Sequence, residues 1–190
     1  DLQLVSTGQT HREDPTFQQA YAQLYVDLSL HPSRVQRAHL RALAASAETP
    51  QHRGMAGYLK LQHAAQGDDR VRLAAEGRKW ARSLEAGHPA LAARILRETA
   101  LIHLGGDRLD AALQDSQRAL ELARRAASED EDEDEVTEQM GSLTTPLDHV
   151  QLTQPEINAA ITYSAALVYR GEIRDAERLA HNMARRSLAA

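Results

Sequence analysis

The chain has 190 residues, a mass of 21.0 kDa, a formal charge of −5 and no cysteine. Its 33 alanines and 25 leucines, against 12 Val plus Ile and seven aromatics, favour helix, because Ala and Leu lose little on entering one while β-branched residues lose more. This composition argues against a β-rich fold, the missing cysteines rule out disulfides, thiolate zinc sites and a Cys nucleophile, and no apolar run approaches the roughly 20 residues that span a bilayer.

Residues 1–14 carry no period and are expected as an N-terminal arm. A first helix is expected over 15–30, with Asp14-Pro15 as N-cap and first helical position. Phe17, Tyr21, Leu24, Tyr25 and Leu28 fall three and four apart, one apolar stripe. His31-Pro32 breaks it, and a second helix is expected over 33–47 with Val35, Ala38, Ala42 and Ala45. Thr49-Pro50 ends that helix, a third is expected over 51–66, and Gly67-Asp68 turns the chain into a fourth that ends near Ala86. Gly87-His88-Pro89 precedes a fifth over 90–104; Gly105-Gly106-Asp107 turns into a sixth over 108–127, with Asp107 as its expected cap. About 25 residues without a helical signal follow, opening on seven consecutive carboxylates, Glu129 to Glu135. A seventh helix is expected over 155–170 and an eighth over 173–188, joined at Gly171. Helices thus come in antiparallel pairs joined by tight turns, and Pro50 to Pro89 marks a period of 39 residues, the scale of a helical solenoid.

The acidity is local, since without the seven carboxylates the charge is +2. No basic surplus of the kind that nucleic-acid binding requires is visible. The basic residues are 20 Arg and two Lys, and Arg suits planar contacts with carboxylates. Self-repulsion makes 128–154 an expected open, solvated loop. A specific variant has the acidic run folding back onto groove arginines and blocking a partner.

At these turns and spacings the sequence resembles the tetratricopeptide repeat (TPR) family, whose unit is two antiparallel helices of about 34 residues. In the last pair Ser164 lies seven before Gly171 and Ala176 five after it, with Met183 where a small residue is expected. In the first pair Ala38, Ala45 and Pro50 match the second half; in the third, Ala112-Leu113 and Ala119-Leu120 keep the seven-residue spacing, with one extra residue in the turn counted from Gly106. In the second, Gly77, Leu84 and Pro89 keep the spacing alone. The resemblance covers residues 15–127 and 155–190. It implies an all-α, right-handed superhelix of about four antiparallel helix pairs, an α-solenoid, and it is similar to divergent repeats in the regulatory regions of bacterial signalling proteins. An Arg- and Ala-rich composition is compatible with a high-GC bacterium.

By the same resemblance the first helix of each pair lines a concave face that holds peptides. The matching positions are Asn158, Ile161, Ala165, Val168 and Tyr169 in the last pair, and Leu96, Ala100 and His103 in the third. Packing alone accounts for the aliphatic ones, which leaves Asn158, Tyr169 and His103, with Tyr163 beside them, as the candidate partner-binding residues.

No P-loop, GxGxxG, HExxH or GxSxG occurs. Nine scattered histidines form no metal pair on one helix face, and Gly105-Gly106-Asp107 departs from a diguanylate-cyclase string at Arg108-Leu109. Neither catalysis, cofactor nor metal is expected. The expected function is a non-enzymatic protein-protein interaction module, the regulatory or sensory part of a larger bacterial signalling protein. Two alternatives stand beside it: a small-molecule sensor with its ligand between repeats, and an assembly module that homo-oligomerises through the last helix, where Ile173, Leu179, Met183 and Leu188 need cover. The chain opens at Asp1 without Met or a signal-peptide pattern. It is therefore expected to be a piece of a longer protein or a mature form, in the cytoplasm or the periplasm.

Overall fold

The computed structural model of the chain describes residues 16–63, 70–138 and 154–188, with 129–138 and 187–188 as backbone only. The expected arm, the 67–68 turn and residues 139–153 of the expected loop lie outside the described residues. Among those described the protein is all-helical, without a strand. The α-helices are α1 (Phe17–Leu30), α2 (Arg37–Ala45), α3 (Pro50–His63), α4 (Arg70–Leu84), α5 (Pro89–Leu104), α6 (Leu109–Glu138), α7 (Gln154–Arg170) and α8 (Ile173–Leu188), with a 3₁₀ turn at Pro32–Arg34.

Local chemistry fixes several boundaries. Thr16, not Asp14, caps α1: its hydroxyl accepts from the Gln19 N–H at 3.4 Å, and the Gln19 side chain accepts from the Thr16 N–H at 3.2 Å. This reciprocal pair satisfies two donors that a helix start otherwise leaves open. The expected second helix is split. Val35 stays extended with its side chain buried, and its carbonyl accepts from the His63 ring at 2.9 Å, so it cannot feed a helical ladder. Thr49 caps α3 through its hydroxyl, 3.0 Å from the His52 N–H, and Pro50 takes the first helical position, where a missing N–H costs nothing. The largest departure is α6. Its helix continues through Glu138, so the first part of the expected loop, residues 128–138, is helical. Extending an existing helix needs no new nucleus, and Glu is a good helix former.

The α5–α6 turn also corrects a register. The Arg108 N–H reaches back to the His103 carbonyl at 3.0 Å and the Asp107 N–H to Leu104 at 3.4 Å. Glu172 N–H to Leu167 (2.9 Å) and Gly171 N–H to Val168 (3.0 Å) repeat the pattern at the α7–α8 turn. Both are Schellman closures with the residue after the helix left-handed. That residue is Gly171 at φ 85° in one turn and Asp107 at φ 56° in the other. Asp107 is therefore the left-handed closing residue of α5, not the cap of α6. Counted from Asp107 rather than Gly106, Ala112 falls five residues on, as Ala176 does from Gly171.

Small residues set how closely the helices approach. Ala74 and Ala81 on α4, and Ala112 and Ala119 on α6, each seven apart, are wholly buried. Gly57 faces the Trp80 ring, and a Cβ there would lie 2.8 Å from two ring carbons; a Cβ on Gly77 would lie 2.5 Å from the Thr99 methyl. Leu59, Leu61, Leu84, Ile95 and Leu122 fill the space between. One core cluster runs from α1 to α7, a smaller one joins Ala112, Leu113, Ala166, Leu167 and Ala176, and Tyr163 and Leu179 touch both. From α3 to α8, helices that follow one another pack together, and α1, α3, α5 and α7 also meet in succession.

Candidate functional site

Helices α1, α3, α5 and α7 meet in succession, and which of their side chains share a face follows from helical spacing. On α7, Ile161 and Val168 stand seven residues apart and are 63% and 54% exposed; Tyr169 beside them is 72% exposed. On α5, Arg94 and Leu101 are likewise seven apart and exposed. Seven residues are close to two turns, so each pair shares a face. On α1, Phe17, Tyr21 and Tyr25 stack in series with centroids 6.3 and 6.2 Å apart, and Phe17 also stacks on His52 of α3 at 4.1 Å.

Helix α3 packs against both α1 and α5, and its Tyr58 is buried. Burial pushes the Tyr58 hydroxyl up to about 12, and the Glu98 carboxylate adds to that rise. The Gln62 side chain donates to the Tyr58 hydroxyl at 2.7 Å. Tyr21 is also raised, by burial first, and Arg94 pulls it back. Burial raises Glu98 against the pull of Arg97, whose guanidinium is 2.9 Å away.

The four candidate residues divide. Tyr169 is the most exposed of them and lies beside Val168. Asn158 is half-buried at the other end of α7 and accepts from Gln154 at 3.1 Å. Tyr163 packs into the core between α7 and α8, and burial raises its hydroxyl, with Glu172 and Asp175 adding to the shift. His103 is 5% exposed and faces the interior, as do Leu96 and Ala100. The one-residue shift in the α5–α6 turn is the cause. Counting back from Asp107 moves the outward positions to Arg97, Leu101 and Leu104, of which Leu101 is exposed and the other two half-buried.

His103 belongs to a buried polar cluster that sequence reading missed. Asp115 of α6 accepts from Arg78 Nε of α4 at 2.7 and 2.9 Å and from the Thr99 hydroxyl of α5 at 2.9 Å. His103 Nε2 lies 3.6 Å from the same carboxylate, beyond hydrogen-bond reach. Burial lowers the His103 imidazole below its ordinary value, Asp115 opposes that, and Arg78 and Arg108 reinforce it. A second cluster sets the fully buried Glu156 of α7 between Arg124 of α6, at 3.2 Å, and Arg186 of α8. The available signal was a charged residue on an apolar stripe: Asp115 lies between Ala112 and Ala119, and Glu156 lies three before Ala159.

These clusters tie helices together. Among the described residues no three His, Asp or Glu converge as a metal-binding group, and no helix is long and apolar enough to cross a membrane. On α8, Leu179 and Met183 pack against the core, Ile173 is exposed, and Arg174, Glu177, Arg178, His181 and Arg185 give the outer face a polar surface. Compared with known proteins, the chain matches no family model, no curated protein and no solved structure.

Proposed function

We propose that the chain is a TPR-like helical-repeat module, non-enzymatic, whose paired helices stack as a right-handed superhelix and offer the α1–α3–α5–α7 face to a segment of a partner protein. A role as the regulatory part of a larger bacterial signalling protein fits the sequence resemblance. The observation that carries the reading is the pair of aliphatic side chains, Ile161 and Val168, left open on a helix whose opposite side is buried. Singly exposed apolar residues are ordinary, whereas aligned ones beside an exposed tyrosine mark an interaction surface. Stacked helix pairs bind through such a surface without a reactive residue.

The test is selection of binding peptides from a random displayed library on the full chain, followed by affinity measurement with the double variant Ile161→Asp, Val168→Asp. Placing two charges in the stripe is expected to reduce affinity by about a hundredfold, with the helical circular-dichroism signal unchanged. Failure to select any binder, or affinity indifferent to the double variant, overturns the reading. Small-angle scattering tests the superhelix separately: the profile of a closed bundle is the contrary result.

A further inference from the structure

The outer face of α8 carries an ordered stripe of basic side chains. Arg174, Arg178, His181 and Arg185 follow one another at spacings of four, three and four, and all are exposed. Ala176, Leu179 and Met183, on the opposite side of the helix, pack inward. An open hollow of about 880 Å³ lies against the stripe, lined by Arg174, Asp175, Glu177, Arg178, His181 and Asn182. Asp175 is taken up by Arg178, and Arg186, off the stripe, by Glu156. Arg174 and Arg185 meet no carboxylate among the described residues. The densest opposite charge in the chain is the run Glu129 to Glu135 on the extension of α6.

Ion pairs fix the levels of the last three helices. Asp110 of α6 meets Arg170 of α7 at 2.9 Å at one end, and Arg124 meets Glu156 at 3.2 Å at the other, where Glu156 also meets Arg186 of α8. α6 and α8 therefore run the same way, with Arg124 and Arg186 close to one level. From that level α6 rises roughly 21 Å further to Glu138, while the stripe runs back from Arg185 to Arg174 over roughly 16 Å in the opposite direction. As one helix, α6 carries the acidic run away from the stripe of its own chain.

We propose that the outer face of α8 docks the acidic α6 extension, residues 129–138, of a second copy of this chain, and that the exchange is reciprocal, giving a two-fold dimer. Charge complementarity selects the occupant, and the levels of the helices exclude the copy's own run. A two-fold arrangement uses both elements of both copies and leaves neither charge open. Exposed ion pairs are individually weak, so the docking depends on several acting together and on low salt. It is independent of the α1–α3–α5–α7 face.

Sedimentation equilibrium of the full chain is the test. In about 50 mM salt the mass is expected to rise with concentration towards twice 21.0 kDa, and about 500 mM salt is expected to weaken the association tenfold or more. Two charge reversals locate the contact. One changes the stripe, Arg174→Glu, Arg178→Glu and Arg185→Glu; the other changes the run, Glu129→Lys, Glu131→Lys, Glu133→Lys and Glu135→Lys. Each alone is expected to remain monomeric, because like charges then face each other. Their equimolar mixture is expected to regain the association, since each variant meets its opposite charge on the other. The helical circular-dichroism signal separates lost docking from lost folding. Should the stripe reversal unfold the chain, Arg174→Gln with Arg185→Gln replaces it and is expected to weaken association about tenfold. A chain that stays monomeric at every concentration in low salt overturns the proposal, as does association that survives either reversal. A mixture that stays monomeric overturns it too. None of these results bears on the peptide-binding face, whose test turns on Ile161 and Val168.

Discussion

Asp115 shows what a single buried charge does in this molecule. It accepts from Arg78 and Thr99, so one carboxylate joins α4, α5 and α6. Removing one partner of such a set leaves the others desolvated and unpaired, which costs more than the intact set contributes. Asp115→Ala is expected to destabilise the fold by about 2–4 kcal/mol, a range reduced because Arg78 keeps partial solvent contact. Urea denaturation checks it, and a loss below that range places the cluster among the dispensable ones. His103 gives a pH dependence. Its imidazole is lowered in the fold, by burial first, so the unfolded chain binds a proton that the folded chain refuses. Stability therefore falls as pH drops from the unfolded value near 6.5 towards the lower folded value, and levels off below it. The groups facing His103 are Asp115, Arg78 and Arg108, of which Asp115 opposes the effect. Stability of His103→Asn is expected to vary less with pH across that window. Tyr58 behaves oppositely at the alkaline end. Raised to about 12, it keeps its proton in the fold, so stability is full below about 10 and is lost as pH rises towards 12. The ultraviolet phenolate absorbance, compared with that of Tyr58→Phe, reads this directly.

At the scale of the element, the helix closures make paired predictions. Gly171 and Asp107 occupy the same place in two turns, both with positive φ. A Cβ on Gly171 meets nothing within 4 Å, so Gly171→Ala is strained through the backbone alone. The left-handed conformation costs a residue with a Cβ roughly 1–2 kcal/mol. Asp107→Gly removes that strain while adding chain entropy to the unfolded state, leaving a net gain of about 0.5 kcal/mol. Thermal midpoints moving in opposite directions for the two variants are the expected result. The same turns explain what was legible in sequence. Gly171 was readable as a turn glycine because glycine is the default at positive φ. Gly105-Gly106 was misleading because two glycines stand beside an Asp that takes the left-handed place. Counting from the wrong residue rotated α5 by one position and put His103 on the open face. The split before α2 was hidden for another reason, since the His63 ring that holds the Val35 carbonyl comes 28 residues later.

Across the whole molecule, one buried cluster runs from α1 to α7 and a smaller one joins α6, α7 and α8. α8 packs chiefly on α7, and Glu156 holds it there by reaching Arg186 while also accepting from Arg124. Glu156→Ala leaves two arginines beside an empty buried site and loosens the end of the array first. Local opening in such arrays spreads from the weakest interface. Hydrogen exchange is expected to show α8 amides losing protection while those of α3 and α4 keep theirs. Uniform loss through all helices would mean that the array unfolds as one unit.

The amino-acid sequence by itself determined the all-helical class, the positions of most helices and the pairing at Gly171, because Ala and Leu abundance, apolar spacing and Pro or Gly breaks act within a few residues of one another. The family resemblance put Ile161, Val168 and Tyr169 on one face but left the two aliphatic ones to packing, whereas they are 63% and 54% exposed. Tertiary structure decided that Asp115 and Glu156 are buried, that His103 faces inward and that α6 runs on to Glu138. Burial and charge pairing depend on which helices meet, and residues 37 apart, such as Arg78 and Asp115, find each other only once the stack has closed.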